Sequence, residues 1–338
     1  MLILRAVQAA LLYGIGAFYA LQFVLQTALQ FLADPDLAAW LAKKRSVAPA
    51  LLGDPRYGTH RFVEVNGVKL HYVEKGDPGK PLMLFLHGFP EFWFSWRHQL
   101  EEFSKDYWTV AVDLRGYGQS EGFDDRAAYQ IDVIVEDIRS LVRALGRDRV
   151  IVVGHDWGAV LGFQFVSKHM DMVDRYVMMG GPSLNGIRRL LLISWQQFRM
   201  SWYTFFFLIP WLPEFYIWGK DFGYIEQNMG GFLTKSELEA YKYTFSQRKA
   251  VTRAIDYYRE NLSFLRKEQP LPKLENHSPG LYLIAEHDQF ISLRSGRVME
   301  RSLPNLWYRI VPGTGHYMQQ ESHRLVNKML RDFLDLSG

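Results

Sequence analysis

The chain contains no cysteine. That excludes a disulfide framework, a thiolate metal site and a cysteine nucleophile. A large excess of either charge is also missing: the formal net charge is +3 and no dense basic patch occurs, which argues against a nucleic-acid partner. There is no internal repeat and no low-complexity tract. What the 338 residues do carry is apolar bulk, 48% hydrophobic and 15% aromatic, enough for a large core and an inserted subdomain. The aromatic excess suits a greasy pocket, and equally a core of large side chains.

Charge is missing altogether from residues 6 to 33. A bilayer needs roughly 20 apolar residues, and a cleaved signal peptide has an apolar region of about 7–15. The length therefore favours an N-terminal membrane anchor over residues 1–33, spanning or embedded. Gln22, Gln26 and Gln30 fall four apart and form one polar stripe on a helix, which leaves an interfacial helix open. Lys43, Lys44 and Arg45 follow the run and outnumber Arg5 before it, an imbalance that points to a cytosolic catalytic domain. Two N-x-S triplets begin at Asn261 and Asn276. Such triplets are common by chance and are weak evidence for secretion.

Residues 34–55 read as a linker. Two alternating stretches, 61–65 and 68–73, flank Asn66-Gly67, a strong two-residue hairpin signal. Apolar strands are expected at 82–86, 108–113, 150–153, 175–179, 280–285 and 306–311, with helical spacing between several of them. Strands alternating with helices give an α/β chain with a mainly parallel central sheet flanked by helices. From about residue 183 to 270 the pattern becomes aromatic-dense and helical. It reads as a cap inserted between two halves of the core, 56–182 and 271–338.

Gly154-His155-Asp156-Trp157-Gly158 joins an apolar strand to a small-residue helix. This is the strand–turn–helix pattern of a nucleophile elbow, G-x-nucleophile-x-G, with aspartate at its centre. Asp288 and His316 also end strands, and the order Asp156, Asp288, His316 is nucleophile, acid, base. An aspartate is already ionised at neutral pH, its ordinary pKa being about 3.9. It can attack a saturated carbon in a strained ring, or one bearing a leaving group, and form an ester. His316, oriented by Asp288, would then activate water, and backbone N–H groups of Phe89 and Trp157 would hold the oxyanion. An epoxide oxygen leaving as alkoxide needs a donor such as a tyrosine hydroxyl, whereas a halide needs only weak donors such as indole N–H groups.

His87-Gly88-Phe89-Pro90-Glu91 with Trp96, Asp113-Leu114-Arg115-Gly116-Tyr117-Gly118, the Asp156 elbow, Glu286-His287-Asp288 and Gly315-His316 together resemble the epoxide hydrolases of the α/β-hydrolase fold. The resemblance covers roughly residues 60 to 335 and is closest to the membrane-anchored relatives of soluble epoxide hydrolase. It implies two cap tyrosines. Tyr203, before Thr204-Phe205-Phe206-Phe207 and Pro210, matches one; Tyr258, in Tyr258-Arg259-Glu260-Asn261, matches the other in preference to Tyr257. It also implies Trp96, Trp157 and Phe89 against the substrate, no cofactor and no metal. The expected substrate is a small apolar lipid or aryl epoxide, and the expected location a membrane, that of the endoplasmic reticulum, with lipid as the other partner. A haloalkane dehalogenase of the same fold, and a membrane-tethered binding protein with a retired site, are the alternatives. Oligomeric state is open.

Overall fold

The structure is a computed structural model that describes residues 2–33, 35, 40–262 and 278–335. Among these residues, β1 (Thr59–Val65), β2 (Val68–Lys75), β3 (Leu82–Leu86), β4 (Trp108–Val112), β5 (Val150–His155), β6 (Val173–Met179), β7 (Gly280–Ala285) and β8 (Leu306–Val311) form one sheet in the order β1-β2-β4-β3-β5-β6-β7-β8. β1 and β2 pair antiparallel, as do β2 and β4; all other neighbours are parallel. The first hairpin turns at Asn66 (φ 48°) and Gly67 (φ 72°), the double left-handed conformation that a two-residue turn demands. Every residue of β3 and β5 is buried, which is why both read as unbroken apolar runs rather than alternating ones.

The N-terminal apolar run forms one helix, α1 (Leu2–Ala33). Its stretch Ala10–Ala33 is long and apolar enough to cross a membrane. Helices α2 (Arg97–Phe103), α3 (Ile131–Ala144) and α4 (Trp157–Lys168) connect the sheet strands. Helix α3 buries Ile131, Ile134, Val135, Ile138, Leu141 and Val142, the apolar stripe its spacing predicts. The cap follows β6 as α5 (Leu184–Ile193), α6 (Trp195–Met200), α7 (Trp202–Phe206), α8 (Leu212–Met229), α9 (Lys235–Ser246) and α10 (Ala250–Asn261). Helix α8 is broken by non-helical backbone at Gly219, Lys220, Asp221 and Phe222. The chain closes with α11 (Arg294–Glu300), α12 (Met318–Glu321) and α13 (His323–Asp335). The expected cap boundary near residue 270, and Asn276, lie outside the described residues.

The stretch read as a linker is strapped to the cap. Arg45 pairs with Asp221 at 2.7 Å and Glu239 at 3.1 Å, Trp40 lies parallel to Phe215, and Leu52 is buried. Helix α1 also lies against the cap, Tyr19 on Trp202 and Phe23 on Phe206 and Tyr216.

Two residues of the cap fix its inner helices. Arg259 on α10 donates to both carboxylate oxygens of Glu214 (2.7 and 3.1 Å) and to the carbonyls of Phe207 and Ile209, each at 2.9 Å. The guanidinium thus clamps α10 to the end of α7 and the start of α8. Asn261 accepts from the Ile131 N–H and donates to the carbonyls of Tyr129 and Tyr257, joining the same helix to the core. It is buried, so its N-x-S triplet offers no accessible side chain for glycosylation. Arg259→Met would leave Glu214 buried without its cation. The expected cost is about 3–5 kcal/mol, read as a lower urea midpoint, with Glu214→Leu in the same chain restoring much of it.

Candidate active site

At the end of β5 the chain reverses into α4 through Asp156, whose φ is 51° and ψ −116°. This is a strained conformation for a residue with a side chain. Its neighbours make the turn tight: a Cβ on Gly158 would lie 2.0 Å from the Leu86 carbonyl oxygen. The reversal lifts the Asp156 carboxylate above the parallel strand ends, where β3, β7 and β8 also deliver their following loops.

One carboxylate oxygen of Asp156, Oδ1, accepts from the Phe89 N–H at 2.9 Å. The other, Oδ2, lies 3.6 Å from His316 Nε2. On its far side His316 Nδ1 meets Asp288 Oδ2 at 2.9 Å, and Asp288 Oδ1 accepts from the N–H groups of Phe290 and Ile291. Trp157 is the first residue of α4, so its N–H has no partner within the helix. The three residues expected at separate strand ends therefore stand in one line.

Burial opposes charge on His316, but Asp288 and Asp156 outweigh it and its pKa is pushed up to about 10. Burial likewise opposes charge on Asp156, yet the hydrogen bond and positive charge of His316, with the Phe89 N–H, hold it below the usual carboxylate range. At neutral pH the resting pair is carboxylate and imidazolium.

A cavity in front of Asp156 is lined by Trp157, Tyr203 and Tyr258 and walled by Leu184, Ile187, Leu191 and Ile291. The rings of Tyr203 and Tyr258 meet edge to face with centroids 5.9 Å apart. Burial, and then the nearby Asp156 charge, drive both phenols well above their usual pKa of 10, so both are neutral donors. Tyr257 is absent from the cavity and donates to the Arg115 carbonyl at 2.7 Å.

Two residues expected at the substrate are elsewhere. Trp96 is fully buried against Phe85, because the short helical turn Trp93–Trp96 directs it beneath the loop into the core. The ring of Phe89 packs on Phe207 and Tyr258 and is not part of the cavity lining; its backbone N–H alone reaches the site.

A buried network beneath His316 was not anticipated. His155 places Nε2 at 2.9 Å from the His316 carbonyl oxygen and Nδ1 at 2.6 Å from Glu91. Glu91 also accepts from Gly88 N–H and from the side chains of Gln319 and Gln320. Burial disfavours the Glu91 charge, but His155, His87 and the Gly88 N–H hold its pKa below the usual carboxylate range. The signal available was the presence of Glu91 and His155 inside recognisable motifs; nothing in spacing links positions 91, 155 and 319. Among the described residues no group of three or more His, Asp or Glu side chains could hold a metal ion.

The model of the alpha/beta hydrolase fold matches residues 81–322. Epoxide hydrolase 3 of Xenopus tropicalis is 36% identical over 333 residues, which span 95% of this chain and 90% of the relative. Human epoxide hydrolase 4 is 37% identical over 303 residues, 86% of this chain and 83% of the relative. Among solved structures, a Bacillus megaterium epoxide hydrolase bound to an inhibitor superposes with a TM-score of 0.76 at 32% identity, over 81% of this chain and all of that one (100%). With an elbow aspartate beside a histidine and facing two cap phenols across one cavity, and with these relatives along most of its length, the chain belongs to the epoxide hydrolases of the α/β-hydrolase fold.

Proposed function

We propose that this protein adds water to apolar epoxides, giving vicinal diols through an ester on Asp156. The observation that carries the reading is the pairing of an ionised Asp156 with two neutral phenols, Tyr203 and Tyr258, across one cavity. A dehalogenase would have no use for both phenols, and the relatives are named for epoxides.

Oδ1 is held by the Phe89 N–H, so Oδ2 attacks the ring carbon. The carbon–oxygen bond of the ring breaks, and the alkoxide takes a proton from Tyr203 or Tyr258. Esterification removes the Asp156 charge that stabilises the His316 imidazolium, and the imidazolium releases its proton to restore the phenol. Neutral His316 then takes a proton from water as the oxygen adds to the ester carbon. Phe89 and Trp157 N–H groups face the oxyanion on Oδ1. Collapse expels the diol, which takes its proton from His316, and the new carboxylic acid of Asp156 returns one to His316. Carboxylate and imidazolium are regenerated, and one water is consumed.

The anchor reading places the chain on a membrane, on the cytosolic face of the endoplasmic reticulum. The apolar helix α1 and the basic residues Lys43 and Lys44 after it support this.

A single turnover with excess enzyme in oxygen-18 water is expected to place the label in the Asp156 carboxylate and not in the diol, by peptide mass spectrometry. Diol formation that persists in Asp156→Ala would overturn the mechanism. Tyr203→Phe and Tyr258→Phe should each slow ester formation, and together by about 10²–10⁴-fold; Tyr257→Phe should lower the melting temperature with turnover retained. His316 should titrate near pH 10 in the resting enzyme. In Asp156→Asn its pKa should fall, because burial remains while one of the two anions is gone; nitrogen-15 NMR of labelled histidine reads both values.

A further inference from the structure

We propose that α1 does not cross the bilayer but lies in the plane of one leaflet, beside an apolar face of the cap, and that epoxides enter the cavity from the lipid through that face. This rests on the membrane anchorage proposed above and specifies its geometry.

Helix α1 contacts the cap over much of its length. A Cβ on Gly16 would stand 2.5 Å from the Phe205 carbonyl oxygen, Tyr19 meets Trp202, Phe23 meets Phe206 and Tyr216, and Gln30 accepts from Lys220 at 3.0 Å. Residues 16 to 30 thus lie along the folded domain for about 21 Å at 1.5 Å per residue. These contacts fall inside Ala10–Ala33, the stretch long and apolar enough to cross a bilayer. A perpendicular helix would have to drag the cap into the bilayer or break these contacts.

The side of α1 turned from the cap is apolar and open: Phe18, Leu21, Leu25, Leu29 and Leu32 are each more than half exposed. The cap continues that surface. Leu192, Trp195 and Trp211 are 76%, 72% and 82% exposed. Trp195 stacks on Phe198, which packs on Phe205 beside Gly16. Trp211 lies one turn before Phe215, which packs on Phe23. Exposed indoles next to an apolar helix match the composition that settles at a membrane interface, an apolar ring with one polar N–H. An aqueous partner does not explain a 24-residue apolar helix continuous with them.

The same helices wall the cavity. Helix α5 turns Ile187 and Leu191 inward while Leu192 and Ile193 at its end are exposed, and Tyr203 and Thr204 of α7 line the cavity from the element that α1 covers. An apolar molecule leaving the acyl region therefore meets the cavity wall without crossing water.

The test uses the full chain bound to sealed phosphatidylcholine vesicles. Because the protein has no cysteine, Leu2→Cys and Lys44→Cys each introduce a single labelling site. A membrane-impermeant maleimide added outside is expected to label both. Labelling of one with protection of the other until detergent is added would show a spanning helix and overturn the proposal. Loss of vesicle flotation would instead remove the anchorage itself. In the chain carrying Leu192→Ser, Trp195→Ser and Trp211→Ser, flotation through α1 should persist. The KM for an epoxide dissolved in the vesicles should rise roughly tenfold, with kcat unchanged and kcat/KM for a water-soluble epoxide retained. Equal effects on both substrates would overturn the entry route.

Discussion

Everything at the site depends on one largely buried carboxylate facing one buried imidazolium. Neither charge would be stable alone in that environment. Asp156 stays ionised because His316 is charged, and His316 stays charged because Asp156 and Asp288 flank it. The two states of the histidine therefore follow the two states of the nucleophile. In the proposed mechanism, consuming the carboxylate removes one of the two anions that support the imidazolium, and a base appears in the step that needs one. No conformational change is required, only the loss of one charge at 3.6 Å.

The framework around that pair is built to keep it from relaxing. The strained backbone of Asp156 is wedged between β3 and α4 by the close approach at Gly158. The carbonyl of His316 is tied to His155, His155 to Glu91, and Glu91 to the start of α12. Above, Arg259 and Asn261 hold the helix that presents Tyr258. Floor and roof are joined by Phe89, whose N–H binds the nucleophile while its ring packs on Tyr258.

The sheet was readable from the chain because burial on both faces leaves a plain mark, as in β3 and β5, and because Asn66-Gly67 admits one kind of turn. Asp156, Asp288 and His316 were readable because each follows within a few residues of a strand end. Tyr258 was separated from Tyr257 by its motif; periodicity offered no help, since adjacent residues on a helix differ by about 100°. The contact between Glu91, His155 and Gln319 left no trace, since partners so distant obey no local period. Trp96 was misplaced because membership of a motif does not say which way a short helical turn points a ring. The docking of α1 was hidden for a different reason: Gly16, Ala20 and Phe23 look the same in sequence whether their neighbour is lipid or protein.

The grip of Arg259 has a consequence for how this site can diversify. It holds the carbonyls after α7 and the helix carrying Tyr258 in one hand, so the two phenols form a rigid unit that mutation can break but hardly shift. Helix α5 lines the adjoining wall of the cavity with the apolar side chains of Leu184, Ile187 and Leu191. Drift in substrate range therefore has a natural place to accumulate: the catalytic roof is locked, and the adjoining wall is where new side-chain sizes are tolerated without disturbing the chemistry.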